Sequence, residues 1–465
     1  MPVSMLNGPH GIGDFGECAR HFLRSTAKAG FHIWQILPLN PLGYGNSPYQ
    51  PYSSFAGDPI YISLDDLVTK GLLKEVPHFN KMNHHIDYEA VRAYKEKYLH
   101  EAYKNFTKND DYEAFIKRAF WLKDYAEFMT RKKNNDDKTW SEWTDLSVDE
   151  ADLEYIYFEQ YLFDLQWKAL RDYAHNLGLL IMGDMPIYVG LDSADVYGHK
   201  ECFLLDEEGH PTSVAGVPPD YFSKDGQLWG NPIYDWDYLK AHDYSFWMER
   251  LSWNKELFDV IRIDHFRAFD TYWKVPAGET TAKNGKWILG PSYDFFDAVF
   301  AKYPDLNVVA EDLGDLRKEV LELKDHYHML GMRIIEYSFG PDEEKLHFKL
   351  PEFAIAYTGT HDNAPVNGWY AKDLSKNERR RLRKIMSHYP YHGTMCQKLV
   401  RFTLDQPCVK AILPMWDILG LGYEGRINTP GTIGEPNWCY KLNDLDGYDR
   451  KIHRIHDLLE KSDRL

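Results

Sequence analysis

Eight short apolar runs, most of them leading into a helical pattern, constrain this chain more than any other feature. They are PVSML (2–6), FHIWQILPL (31–39), LGLLIMGD (177–184), LFDVIRID (257–264), LNVVAED (306–312), GMRIIEYSF (331–339), FAIAYTGTHD (353–362) and VKAILPMWD (409–417). Runs that are apolar on both faces suit parallel strands covered by helices. Eight of them, separated by helical patterns, favour an α/β fold of the closed (β/α)8 TIM-barrel type. The alternative on pattern alone is an open doubly wound sheet. Asp14 with Glu17, Ser147 with Glu150, and Ser375 with Glu378 have the spacing of helix capping boxes.

The strands are unevenly spaced. Between the second and third lies a mostly helical stretch, 65–150, rich in Lys, Asp and Tyr, which reads as an insertion into one barrel spanning 1–465. The stretch 190–245 is rich in Gly, Pro and aromatics, with AGVPPDYFSKDGQLWGNPIYDW inside it. It reads as a long ordered loop. Loops at the C-terminal ends of barrel strands are where such folds keep their sites.

Several strands finish in charge. Alternation along IRIDHFRAF (261–269) places Ile261 and Ile263 on one face and Arg262 and Asp264 on the other. The apolar pair suits the helices, so Arg262 and Asp264 point into the barrel near its top. A carboxylate beside a fixed guanidinium stays ionised, as a nucleophile must. A structural ion pair at the strand end is the plain alternative. Asp184, the Glu311–Asp312 pair and the His361–Asp362 pair end three further strands. Acids gathered at several strand ends, among many aromatics, suggest a carboxylate pair flanking a glycosidic bond. A metal site is the rival reading. HDN and AED have no specific ligand spacing, and HExxH and DxDxDG are absent.

The formal net charge of −17 argues against nucleic acid and anionic membranes as partners. The five cysteines (Cys18, Cys202, Cys396, Cys408, Cys439) are scattered and form no CxxC, which fits reduced thiols better than disulfides or zinc. No apolar run is as long as a membrane span, and MPVSMLNGPHG is not a secretory signal, so a cytoplasmic location is expected.

GDMPIYV, IRIDHFRAF, AEDLG and GTHDN occur in this order at successive strand ends. Together they resemble the signature regions of the 4-α-glucanotransferases of the amylomaltase (disproportionating enzyme) family, in the α-amylase superfamily. GIGDFG, GNSPYQPYSSFAGDPIYI, PPDYFSKDGQLWGNPIYDW, GPDEE and GRINTPGT extend the likeness over nearly the whole chain. The resemblance implies retaining transfer of α-1,4-glucan segments between maltooligosaccharides, through a covalent glycosyl-enzyme. It implies Asp264 as nucleophile, Glu311 as general acid/base and Asp362 as the group that grips the donor sugar.

It further implies His361 and Asp184 as sugar-hydroxyl ligands and Tyr49 as the platform beneath the reacting sugar. Arg262 keeps Asp264 charged, and Ser47, Trp229 and Asp312 match binding positions. His265 and Arg267 are read equally as supporting or structural residues. The segment 218–231 matches a substrate lid, with Tyr221 and Phe222 stacking on the acceptor, and Tyr44 matches a second glucan-binding groove. No metal or organic cofactor is implied, and a monomer is expected. A hydrolase on the same barrel and a non-catalytic glycan-binding protein are the competing functions.

Three features depart from the family pattern: the start at MPVSML, Ala268 where many relatives have Gly, and GEPNWCYKL near the end, which leaves Asn437 and Trp438 without an assigned role.

Overall fold

The computed structural model describes residues 1–79, 83–219, 223–314, 316–339 and 349–465. Its strands along the chain are β1 (Ile33–Gln35), β2 (Leu180–Met185), β3 (Ser213–Val217), β4 (Gln227–Pro232), β5 (Val260–Ile263), β6 (Thr271–Pro276), β7 (Lys286–Leu289), β8 (Val308–Ala310), β9 (Leu330–Ile334), β10 (Ala354–Tyr357) and β11 (Lys410–Ile412). Strands β1, β2, β5, β8, β9, β10 and β11 pair in that order. Every pairing is parallel. This is an α/β fold, a (β/α)8 barrel closed except at one seam. There β1 and β11 line opposite sides of a cavity of about 290 Å³. The Tyr357 hydroxyl reaches over from β10 to Gln35 Oε1 at 3.1 Å.

Seven of the eight apolar runs supply these strands; residues 2–6 do not. Pro2 has no N–H to give a ladder, and the carbonyls of Pro2 and Val3 accept from the amides of Met5 and Leu6, turning the chain back on itself. The side chains of Val3, Met5 and Leu6 are buried all the same. The run reflects core packing, not a strand. Met1 flanks β1, its ammonium donating to the Gln35 carbonyl at 3.1 Å and its carbonyl accepting from the Trp34 indole at 2.7 Å.

Strand register sorts side chains as alternation requires. Val260 lies opposite Met182, and Arg262 opposite Asp184. Met182, Val260, Val309, Met332, Ile334, Ile355 and Tyr357 form a cluster of their own, the apolar filling of the barrel. Ile181, Ile261, Ile263, Val308 and Ala310 belong to the larger core shared with the helices. Each buried isoleucine there contributes about 1.5–3 kcal/mol relative to exposure. Arg262 therefore sits above an apolar plug, where an ion needs partners within reach.

The stretch after β1 carries helices Tyr88–Asn105, Asp110–Arg118 and Leu122–Asn134, which pack on the long helix Glu150–Asn176 leading into β2. Its start departs from expectation. Asp149, not Ser147, is the cap, its carboxylate accepting from the Ala151 amide at 2.7 Å. Asp14 likewise takes the Gly16 amide and leaves helix Glu17–Lys28 without a side-chain cap. Ser375 and Glu378 form both halves of their capping box.

The largest departure lies between 213 and 289. A four-stranded antiparallel sheet, in the order β4-β3-β6-β7, occupies part of what composition suggested was loop. Among the described residues, no helix is long and apolar enough to cross a membrane.

Candidate active site

The charged side chains at the strand ends converge. From β5, Arg262 Nη1 reaches both Asp184 oxygens, at 2.6 and 2.7 Å. The same nitrogen lies 3.1 Å from Asp264 Oδ1. Its Nε rests against Met332 Sδ at 3.4 Å, on the apolar plug. Burial opposes the guanidinium's charge, but Asp184 and Asp264 more than offset that, and its pKa is raised. The two carboxylates differ in access. The Asp184 side chain is 0% exposed and that of Asp264 27% exposed. Asp184 therefore anchors Arg262, while Asp264 can meet a bound molecule.

Asp264 ends the strand, its amide donating to the Met185 carbonyl at 3.0 Å. The chain then turns sharply, because His265 has φ +48°, a left-handed conformation uncommon outside glycine. This turn aims the His265 amide at Glu311 Oε2, 2.8 Å away. The Leu313 amide donates to Glu311 Oε1 at 3.2 Å. Glu311 is thus held beside the residue that follows Asp264. Burial, reinforced by the negative charges of Asp264 and Asp362 and opposed by Arg262, pushes its pKa up to about 8. His265 is driven down to about 4, chiefly by burial, so its ring is neutral near pH 7.

A wall of rings closes one side. Tyr49 donates its hydroxyl to Asp184 Oδ2 at 2.8 Å and stacks on His361, centroids 5.2 Å apart. His361 Nε2 in turn lies 3.4 Å from Asp362 Oδ2. Ser47 Oγ accepts from the Tyr49 amide at 3.3 Å, so this hydroxyl shapes the turn that presents the tyrosine. Gln50 clamps the same turn to the Trp229 carbonyl and to Asn231, both at 3.0 Å. Trp229 meets His265 edge-on, with centroids 4.9 Å apart.

Other expected residues stand apart. Asp312 is buried, with its side chain 0% exposed. Its carboxylate accepts from Arg333 at 2.9 Å and from the Met332 amide at 2.6 Å, partners that Glu311 does not share. Arg267 lies over the Trp287 ring, 3.6 Å from its centroid. Tyr44 is 77% exposed. Tyr221 and Phe222 lie outside the described residues.

The structure also adds residues that the sequence reading left without a role. Asn428 donates to Asp362 Oδ1 at 2.6 Å and Arg426 to the Asp362 carbonyl at 3.2 Å. Trp438 packs within 5.9 Å of both the Tyr49 and His361 rings. Asn437 instead folds its own loop, bonding Thr429 and Thr432. GRINTPGT contains Arg426 and Asn428, and only the fold shows that its polar residues meet Asp362.

Comparison with known proteins gives the family. The sequence pattern of the 4-alpha-glucanotransferase family matches residues 1–446. The 4-alpha-glucanotransferase of Clostridium butyricum is 41% identical over 98% of this chain and 98% of its own length. That of Thermus thermophilus is 38% identical over 99% of this chain and 97% of its own. The amylomaltase of Streptococcus agalactiae, solved in complex with acarbose, superposes with a TM-score of 0.93. It is 32% identical, over 100% of this chain and 98% of that one.

Proposed function

The chain belongs to the 4-α-glucanotransferase family and is an enzyme acting on α-1,4-glucans, and from that premise we propose how its side chains carry out transfer. Asp264 attacks the anomeric carbon of a bound maltooligosaccharide while Glu311 gives its proton to the departing 4-oxygen. A glycosyl ester on Asp264 results, and the leaving glucan departs. Glu311, now ionised, takes the proton from the 4-hydroxyl of an incoming glucan. That oxygen displaces Asp264 and restores an α-1,4 bond. Two inversions give net retention.

The observation that carries this reading is the opposite treatment of two adjacent carboxyl groups. Asp264 is held by a guanidinium. Glu311 is held protonated by burial. An ion-paired, partly exposed carboxylate suits the nucleophile, and a buried, protonated one suits the acid.

The remaining residues position the sugar. The Tyr49 ring supports its apolar face. Asp184 holds Arg262 and the Tyr49 hydroxyl in place beneath the sugar. His361 receives a hydroxyl, and Asp362, aligned by Asn428, grips the ring hydroxyls as the sugar flattens toward an oxocarbenium-like state. Trp229 continues the aromatic wall beyond His265.

Maltotriose as sole substrate tests the transfer. The expected result is a ladder of longer and shorter glucans with a constant number of reducing ends. Rising reducing ends with only shorter products would identify a hydrolase, and unchanged maltooligosaccharides of every length a binding protein.

A further inference from the structure

We propose that His85, Glu435 and Cys439 form a binding site for a divalent transition ion of the zinc class, set behind the aromatic wall of the active site. One ligand atom from each lies within 4.8 Å of the others. His85 Nε2 is 3.5 Å from Glu435 Oε1. Bonds of about 2.0–2.3 Å to tetrahedral zinc place neighbouring ligands roughly 3.5 Å apart. Small side-chain adjustments therefore bring all three onto one ion, and water takes the fourth position. The donors are an imidazole, a carboxylate and a thiolate. That mixture suits a borderline ion such as Zn2+ and disfavours Mg2+ or Ca2+, which prefer oxygen alone. Among the described residues, this is the one place where three such donors meet.

The backbone holds the two segments together without an ion. His85 bridges Tyr440 in antiparallel fashion. The Ile86 amide donates to the Cys439 carbonyl at 2.7 Å. His84 stacks on Tyr440 with centroids 5.5 Å apart and lies 3.0 Å from the Lys441 carbonyl. Cys439 is 2% exposed, and its thiol donates to the Asn437 carbonyl at 3.2 Å. A bound ion replaces that thiol proton. A surface ion pair between His85 and Glu435 accounts for their proximity alone, but not for a buried thiol at the same point.

The location gives the site a purpose. Trp438, next to Cys439, has φ +66° and packs on Tyr49 and His361. Its carbonyl accepts from the Tyr88 hydroxyl at 2.8 Å. An ion at Cys439 therefore braces the loop that backs the sugar platform, and its role is stabilising.

The test uses the full chain stripped of metal with a chelator and titrated with Co2+, then Zn2+. One equivalent of Co2+ should give a thiolate charge-transfer band and strong tetrahedral visible bands, bleached by Zn2+. Cys439→Ser should abolish the charge-transfer band, and His85→Ala should weaken Co2+ binding at least about tenfold. Zn2+ should raise the Tm of the wild type and leave that of His85→Ala less affected. A wild type without the thiolate band, or a band that survives Cys439→Ser, overturns the proposal. If Cys439→Ser fails to fold, His85→Ala and Glu435→Gln decide it, and unchanged Co2+ affinity in both overturns it.

Discussion

The amide of His265 donates to Glu311 Oε2 at 2.8 Å, so the residue directly after Asp264 holds the second carboxyl group of the site. The left-handed turn at His265 makes that contact possible. One bend in the chain thereby places the Glu311 carboxyl group against the backbone that follows Asp264.

The pH dependence follows from Glu311, raised to about 8 mainly by burial. It must be protonated to start the reaction. The donor kcat/KM should therefore fall about tenfold per pH unit above roughly 8. In Glu311→Gln assayed with an α-glucosyl fluoride, whose leaving group needs no proton, that alkaline limb should vanish. Stability should shift with the same group. A carboxyl raised on folding contributes fully below its unfolded value of about 4.3 and loses that contribution as pH rises toward about 8. Glu311→Gln should gain on the wild type across that window in denaturant titrations.

Arg262 serves two carboxylates with one nitrogen. Arg262→Met leaves Asp184 buried and unpaired, which should cost about 3–5 kcal/mol of stability. Arg262→Lys keeps the charge but not the reach. It should retain most of the fold and lose kcat by a factor of about 100 or more, since misplaced reacting groups carry penalties of that order. Chemical denaturation and steady-state kinetics on the two variants separate the effects.

Asn428 touches Asp362 and none of the other proposed catalytic acids in the hydrogen bonds described. Asn428→Ala should lower donor kcat/KM by about 10–100-fold, the usual range when a partner orienting a functional group is removed. Its Tm should stay close to that of the wild type. An unchanged kcat/KM would remove Asp362 alignment from the account.

Asp312 and Arg333 should behave as structure. Asp312→Asn weakens a buried charged hydrogen-bond pair and should destabilise by about 1–3 kcal/mol. Its kcat at a temperature where it is folded should be near wild type. A large loss of kcat without loss of stability would instead assign Asp312 to substrate binding.

How much of this was legible depended on the kind of pattern. Strands β2, β5 and β8 announce themselves, because strands buried on both faces need unbroken apolar runs, and their terminal acids follow from alternation. Residues 2–6 show the weakness of that signal, since Val3, Met5 and Leu6 are equally apolar but buried in a turn. The sheet of β3, β4, β6 and β7 was hidden for the opposite reason. Gly216 interrupts β3, and all four residues of β7 are exposed, so neither shows alternation. Asp149 displaced Ser147 because an acid one residue from the helix start caps it directly. The meeting of Asn428 with Asp362, and of His85 with Cys439, joins segments far apart in sequence, and only the folded chain reveals it.

The most direct measurement is mass spectrometry of a trapped intermediate. Glu311→Gln, given an activated α-maltosyl fluoride and no acceptor, should form the glycosyl ester but release it slowly. The account predicts one added maltosyl mass, mapped by peptide digestion to Asp264 and absent from a Glu311→Gln, Asp264→Asn double variant. An adduct on another carboxylate, or one that survives loss of Asp264, would contradict it.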